Sequence, residues 1–391
     1  MSDFSAQARL QAIDAKYQEV VTRTGTKIPY TTEGGRFDDH SRIGGEVEAS
    51  EHVSWWTNGF YPGILWLLYA QHQRPQYAQA AAAIEDELAL NLATMRGLNH
   101  DVGFMYLLSS GYHAALTGSP TAKQRALHAA TLLAGRFNLN GRFIRAWDPR
   151  DADEARTGWS IIDTMMNLEL LYWASVQTDD PRFAAIADAH AHTVMQHAVR
   201  ADGSVKHIIV FDPRTGAYQH SLGGQGFGHG SAWTRGQGWG VYGFTKAYQY
   251  THQAEYLTTA IKIADYCLAQ YQPGQPLPID FRQPASVSAI DNSATAILAS
   301  GLLSLSAALA TQPAQAEHYR RAAGDLVATI DAHYATYDAR RDNIVDGAAV
   351  SYHEEPQPQA LIYADFYYIE ALMKLAGQAL PLASLIEKGE Q

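Results

Sequence analysis

Apolar positions recur along this chain at steps of three and four, while the strict alternation of a half-buried strand hardly occurs. Tyr77, Ala81, Ile84, Leu88, Leu92 and Met95 trace one face of a helix in this way. Segments of this kind predict about twelve helices, over 11–24, 57–71, 76–95, 102–116, 121–137, 161–176, 181–198, 234–251, 255–271, 293–310, 315–335 and 361–376. The even-numbered ones are apolar almost all round, as in Gly63–Tyr69 and Ser293–Ser300. The odd-numbered ones carry Lys, Arg, Glu and Gln along one side. A helix without a polar face is buried and an amphipathic one covers it. The alternation therefore predicts an all-α toroid of six hairpins, six inner helices wrapped by an outer ring. An open array of repeated hairpins is the runner-up, but the period is irregular and no capping repeat stands out.

Local signals and connection lengths sharpen this picture. Thr121–Gln124 reads as a capping box, and Asp180 before Pro181 as a cap ahead of a first-turn proline. Connections from an inner helix to the next outer one are short (72–75, 118–120, 177–180). Those leading into inner helices are mostly long: 25–56, 138–160, 199–233, 272–292 and 336–360. In a toroid the long ones gather at one end, around the N-termini of the inner helices. Long loops in a compact domain usually carry function, and helix N-termini favour an anion. The site is expected there.

Composition narrows the class. A chain of 391 residues, 47% hydrophobic and 18% charged, can bury a large core, and no Pro/Ser-rich linker or charge block divides it. One domain over 1–391 is expected. The start, MSDFSAQARLQAIDAKYQ, has no apolar run after a basic cluster, and no stretch reaches the length of a membrane span. Cys267 is the only cysteine, which excludes an intramolecular disulfide and a cysteine metal cluster. A cytoplasmic protein is the expectation. The formal charge of −11 argues against nucleic acid and against bulk capture of a polyanion. With no exposed heptad seam, a monomer or weak homodimer is expected.

The chemistry concentrates in three places. Between Gly223 and Phe244 glycines and aromatics surround one fixed positive charge, Arg235. Glycine admits close backbone approach, aromatic faces stack on sugar-like ligands, and a guanidinium can fork onto a carboxylate. Asp101 stands immediately before one inner helix and Asp163 before another. Both admit a bland reading as helix caps. Two acids brought together from adjacent helices would instead repel, and one would keep its proton near neutral pH, as a general acid requires. Gly238–Gly243 matches G-x-G-x-x-G, but it runs from loop into helix, whereas a dinucleotide fingerprint needs a preceding strand. Sixteen histidines include no H-E-x-x-H and no pair sharing a helix face with an acid, so neither metal nor cofactor is expected. His190 and His192 read as surface or packing residues; His207 and His229 flank the glycine-rich loop as site or ordinary loop histidines. Trp55, Trp56, Tyr61 and Trp239 serve either stacking or packing.

The elements Trp56–Phe60, His100–Phe104, Ile162–Asn167, His207 and Ser231–Gly240 resemble the unsaturated glucuronyl hydrolases of glycoside hydrolase family 88. The resemblance runs from about Trp56 to Tyr368. It implies an (α/α)6 barrel that releases a 4,5-unsaturated uronic acid from the non-reducing end of lyase-generated, glycosaminoglycan-type oligosaccharides. It further implies Asp163 as general acid and then base, with Asp101 as its essential partner. Trp56, His100, His207, Gln225, Arg235 and Trp239 would bind the sugar, Arg235 meeting either the uronate carboxylate or the next residue. Family members that prefer sulfated disaccharides resemble one another in having serines and a lysine in a C-terminal loop. The corresponding stretch here, Val350–Pro356, has Ser351, no lysine and two glutamates. Unsulfated or differently sulfated substrates, imported before cleavage, are therefore expected. Three other readings stand: an unsaturated rhamnogalacturonyl hydrolase, an inverting glycosidase on saturated sugars, and a non-catalytic sugar-binding toroid in which both aspartates are caps.

Overall fold

The computed structural model describes residues 4–40, 53–148, 155–354 and 359–386. Twelve helices follow the expected order. They are α1 (Ala6–Thr24), α2 (Phe60–His72), α3 (Pro75–Thr94), and α4, which runs Val102–Tyr106, a π-helical turn Leu107–Gly111, and Tyr112–Thr117. Then come α5 (Pro120–Gly135), α6 (Thr164–Thr178), α7 (Pro181–His197), α8 (Thr234–Thr251), α9 (Ala254–Gln270), α10 (Asn292–Ala308), α11 (Pro313–His333) and α12 (Ile362–Leu375).

Burial separates the two rings as the polarity pattern requires. Every residue of α8 from Thr234 to Ala247, of α10 from Asn292 to Leu305 and of α12 from Ile362 to Met373 is buried. The outer helices bury single stripes, such as Tyr77, Ala81, Ile84, Glu85, Leu88 and Asn91 on α3. Inner helices pack in sequence, α4 on α6, α6 on α8, α8 on α10, α10 on α12, and α12 closes the ring on α2. The stripe on α3 ends sooner than its periodicity suggests: the helix stops at Thr94, and Met95 takes a left-handed conformation (φ 58°) with its side chain exposed.

One local expectation needs correction, and a few short strands accompany the helices. The cap lies two residues before the Thr121–Gln124 capping box: Ser119 caps α5 by accepting from the Ala122 amide (3.3 Å), with Pro120 as first helical residue. Thr32–Glu33 (β1) pairs with Arg36–Phe37 (β2), and Phe137–Asn138 (β3) with Phe143–Ile144 (β4). Trp159–Ile161 (β5), Ile208–Phe211 (β6) and Tyr218–Leu222 (β7) form an antiparallel sheet in the order β5-β6-β7. Its register, Ile161 opposite Ile208, carries the chain into Asp163 on one side and out of His207 on the other. The sheet thus holds two long connections together at the N-terminal end of the barrel. Gly238–Gly243 lies inside α8, whose first turns have no strand leading into them.

Candidate active site

Asp101 and Asp163 occupy the N-cap positions of α4 and α6, yet neither side chain accepts a hydrogen bond from its own helix. Both point elsewhere, and one residue ties them together. Asn167, a turn beyond Asp163 on the same face of α6, donates from Nδ2 to Asp101 Oδ1 (3.4 Å) and to the Asp163 carbonyl (3.3 Å). Its Oδ1 accepts from the Phe104 amide of α4 (2.8 Å). This contact is possible because position 103 is glycine: a Cβ there would stand 2.5 Å from Asn167 Oδ1. Sequence reasoning quoted Asn167 in a motif and gave it no role; its i,i+4 spacing from Asp163 was the available signal.

The electrostatics of the two acids are unequal. Burial, reinforced by the charge of Asp163, pushes the Asp101 carboxyl well above the ordinary carboxylate range. The proton expected on one member of the pair is therefore favoured on Asp101, and desolvation does more to hold it there than repulsion. His100, fully buried, places Nε2 3.4 Å from Asp101 Oδ2, while its Nδ1 shares a hydrogen bond with Thr164 Oγ1 (2.9 Å). Burial, helped by Arg136, His190 and His207, holds its pKa well below the usual imidazole value, so the ring is neutral.

His207 faces Asp163, Nε2 to Oδ2 at 3.5 Å. The Gln225 amide donates to His207 Nδ1 (2.9 Å), so Nδ1 is an acceptor and the ring's N–H lies on Nε2, the nitrogen turned toward Asp163. That loop contact depends on Gly224, whose φ is +59° and whose Cβ would fall 1.8 Å from Nδ1. Gln225 also donates from Nε2 to the Val350 carbonyl (2.9 Å) and accepts from the Tyr352 amide (2.9 Å), fastening the loop that holds buried Ser351.

Arg235 sits behind this wall. Its guanidinium is buried, pairs with Asp291 Oδ2 (2.9 Å), and donates to Ser293 Oγ (3.1 Å) and to the carbonyls of Ala349 (2.5 Å) and Val350. It lies over the rings of Trp233 (4.6 Å) and Tyr363 (5.2 Å). Trp56, half-buried, packs against Tyr363 at 4.8 Å. Trp239 has no exposed surface; its ring meets Phe104 (5.3 Å) and Tyr367 (5.4 Å), which places it in the core. The structure thus gathers Asp101, Asp163, His100, His207, Gln225, Arg235, Ser351 and Trp56 at one end. Sequence reasoning missed Asn167, Asp291, Trp233 and Tyr363.

The remaining candidates fall outside the cluster. His229 is exposed on its loop. His190 is buried and accepts from the Ile144 amide (2.9 Å), and His192 pairs with Glu255 (2.5 Å). Tyr61 is buried in the core and Trp55 is exposed beside Tyr30 and His40. Glu355 and Pro356 of the C-terminal loop lie outside the described residues. Among the described residues no group of three metal-binding side chains occurs, and no helix is long and apolar enough to cross a membrane.

A closed ring of six inner and six outer helices, with coupled carboxylates at the N-terminal ends of its inner helices, is the arrangement of an (α/α)6-barrel glycoside hydrolase. The chain belongs to glycosyl hydrolase family 88, whose pattern matches residues 32–369. It is 36% identical to the unsaturated glucuronyl hydrolase of Bacillus sp. (strain GL1) over 327 residues, 82% of this chain and 86% of that one. It is 30% identical to the unsaturated chondroitin disaccharide hydrolase of Streptococcus pyogenes serotype M1 over 325 residues, 82% and 80% of the two chains. The crystal structure of the Bacillus sp. GL1 enzyme superposes with a TM-score of 0.86 at 32% identity, covering 95% of this chain and 96% of that one.

Proposed function

We propose that this hydrolase hydrates the C4=C5 bond of a 4,5-unsaturated uronic acid at the non-reducing end of a glycosaminoglycan-type disaccharide, with Asp163 as acid and base. One observation carries the reading: two aspartates at helix N-termini make no side-chain cap bond to their own helices and are tied to each other through Asn167.

The substrate is a vinyl ether conjugated to a carboxylate. Proton transfer from the Asp101–Asp163 pair, delivered by Asp163, forms the C4–H bond and leaves oxocarbenium character at C5 and the ring oxygen. Water then adds to C5 as Asp163, now a carboxylate, takes its proton back. The product is a hemiketal; its C5–ring-oxygen bond breaks to a ketone, and the hemiacetal left at C1 expels the second sugar. At rest the pair carries one proton, favoured on buried Asp101, and it reacts from the microstate in which Asp163 bears that proton. The Nε2–H of His207 orients the Asp163 oxygen it faces. Trp56 offers a ring face at the pocket rim, and Arg235 fixes the 349–350 backbone against α10. That loop bears no Lys or Arg in 350–354, which supports an unsulfated aglycone or one sulfated away from it. The reading extends to a cytoplasmic protein that acts as a monomer or weak homodimer.

The test follows loss of ultraviolet absorbance from the conjugated double bond with unsulfated chondroitin, hyaluronan, sulfated chondroitin, heparin and rhamnogalacturonan disaccharides. Wild-type turnover is expected on the first two, and Asp163→Asn should lower kcat by at least ~10³-fold with folding intact. An Asp163→Asn variant with wild-type turnover would overturn the assignment. Preference for the rhamnogalacturonan product would replace the substrate class.

A further inference from the structure

The inner helices end, opposite the aspartates, in a cavity of about 310 Å³ that the proposed reaction does not use. Its position follows from the fold: Tyr112 opens the last segment of α4, Glu169 stands near the middle of α6, and Lys246 and Ser304 stand on the C-terminal halves of α8 and α10. Lys246 and Glu169 are each more than nine-tenths buried and lie 2.8 Å apart. Packing alone gives no reason for such a pair, because apolar residues of similar volume usually stabilise a core as well or better.

The groups turned into the cavity are unfinished. Lys246 has three N–H bonds, and within the described residues only Glu169 accepts one of them. Glu169 uses Oε1 for Lys246 and for the Tyr250 hydroxyl (3.4 Å), while Oε2 has no hydrogen-bond partner there. Gln249 Oε1 and Gln378 Oε1 are buried without partners. Ser304 accepts from Lys374 (2.9 Å), which leaves its own O–H to donate. Opposite these groups Leu303, Ala307, Leu380 and Leu382 make an apolar wall.

Charge selects the ligand class. Lys246 is matched by Glu169 and Lys374 by Glu370 (3.2 Å), so the interior carries no net charge. Arg320 lies at the rim, exposed, and donates to the Leu375 carbonyl (3.3 Å). An ionic ligand would find each attraction offset by the partner charge alongside. A donor and an acceptor side by side match two neighbouring hydroxyls on a ring, the other donors and acceptors match more, and the apolar wall fits a C–H face. The volume is at the small end of ligand pockets. We infer that this cavity binds a neutral monosaccharide or cyclic polyol, as a second carbohydrate site separate from the catalytic end.

Methyl-resolved NMR of the full chain tests this, with N-acetylglucosamine, N-acetylgalactosamine and glucose as probes and acetate as the anionic control. Saturable shifts are expected at the methyls of Leu303, Ala307, Leu380 and Leu382, with a dissociation constant on the order of millimolar. Gln249→Ala should weaken them at least tenfold, and Ala307→Trp, which fills the space, should abolish them. Both variants should keep wild-type turnover in the ultraviolet assay, so this result stands apart from the fate of the catalytic reading. Three outcomes overturn the inference: no saturable shift up to about 50 mM sugar, shifts confined to Ile162, Met165 and Met166 near Asp163, or acetate acting as strongly as the sugars.

Discussion

Asn167 is the side chain through which α4 and α6 hold the proposed catalytic pair, and two substitutions there separate geometry from charge. Asn167→Asp keeps the shape and the oxygen that accepts from the Phe104 amide. It also sets a third carboxylate 3.4 Å from Asp101 Oδ1, where an amide now donates. At an effective dielectric of ~20, like charges at that distance repel by about 5 kcal/mol, or ~3.5 pK units. The cluster then holds its proton to higher pH, and the basic limb of kcat/KM moves upward by one unit or more. Asn167→Ala removes the donor that favours the Asp101 carboxylate, so the limb moves the same way by less. This change also strands the buried Phe104 amide, at about 1–3 kcal/mol of stability. The assay is the pH dependence of ultraviolet absorbance loss from pH 4 to 9, with thermal unfolding measured alongside. If both variants lose activity while their limbs stay at the wild-type pH, Asn167 is structural only and the coupling argument fails.

Three further outcomes follow from the same geometry. Asp101→Asn should raise Tm at pH 7 and above: a carboxyl whose pKa is raised in the fold keeps a proton that the unfolded chain releases, so stability falls as pH climbs from the ordinary carboxylate value toward the raised one. The gap should close toward pH 4, and a variant less stable than wild type at pH 8 would contradict this. Gly103→Ala forces a Cβ to 2.5 Å from Asn167 Oδ1; about 1–3 kcal/mol of unfolding free energy in denaturant titration and ~10²-fold in kcat should go together. Arg235→Met leaves Asp291 buried without its cation, and should cost about 3–5 kcal/mol in the same titration.

How far these features were legible depends on their range in sequence. The twelve helices were readable because each repeats its pattern over three turns or more. The strands were not: Ile208–Phe211 is four buried apolar residues, too short for a period of two to separate from a turn of helix. Asp101 and Asp163 could be singled out from local context, since each breaks an apolar setting. Their coupling could not, because Asn167 meets Asp101 across 66 positions. Arg235 shows the same limit. One cation among glycines and aromatics suggested an open clamp, yet Asp291 and the Ala349 carbonyl, 56 and 114 positions away, already occupy it.

Local context also leaves a choice that only the assembled chain resolves: whether an aspartate before an apolar helix is a cap. Among the described residues four helices are capped by side chains. Ser5 accepts from Ala8, Ser119 from Ala122, Asp180 from Arg182 and Asp291 from Ser293. Each such bond stabilises a helix by about 1 kcal/mol. Asp101 (φ −78°, ψ 4°) and Asp163 (φ −58°, ψ −28°) stand at the same helix ends in turn-like or helical rather than extended backbone, and make no such bond. Instead Asp101 is buried against a neighbouring carboxylate, a placement that costs free energy unless a proton is shared. A toroid that only bound sugar would have every reason to cap α4 and α6 as it caps α7 and α10. The two side chains therefore do not act as caps, which supports the proposed reading of them as acids held ready for proton transfer.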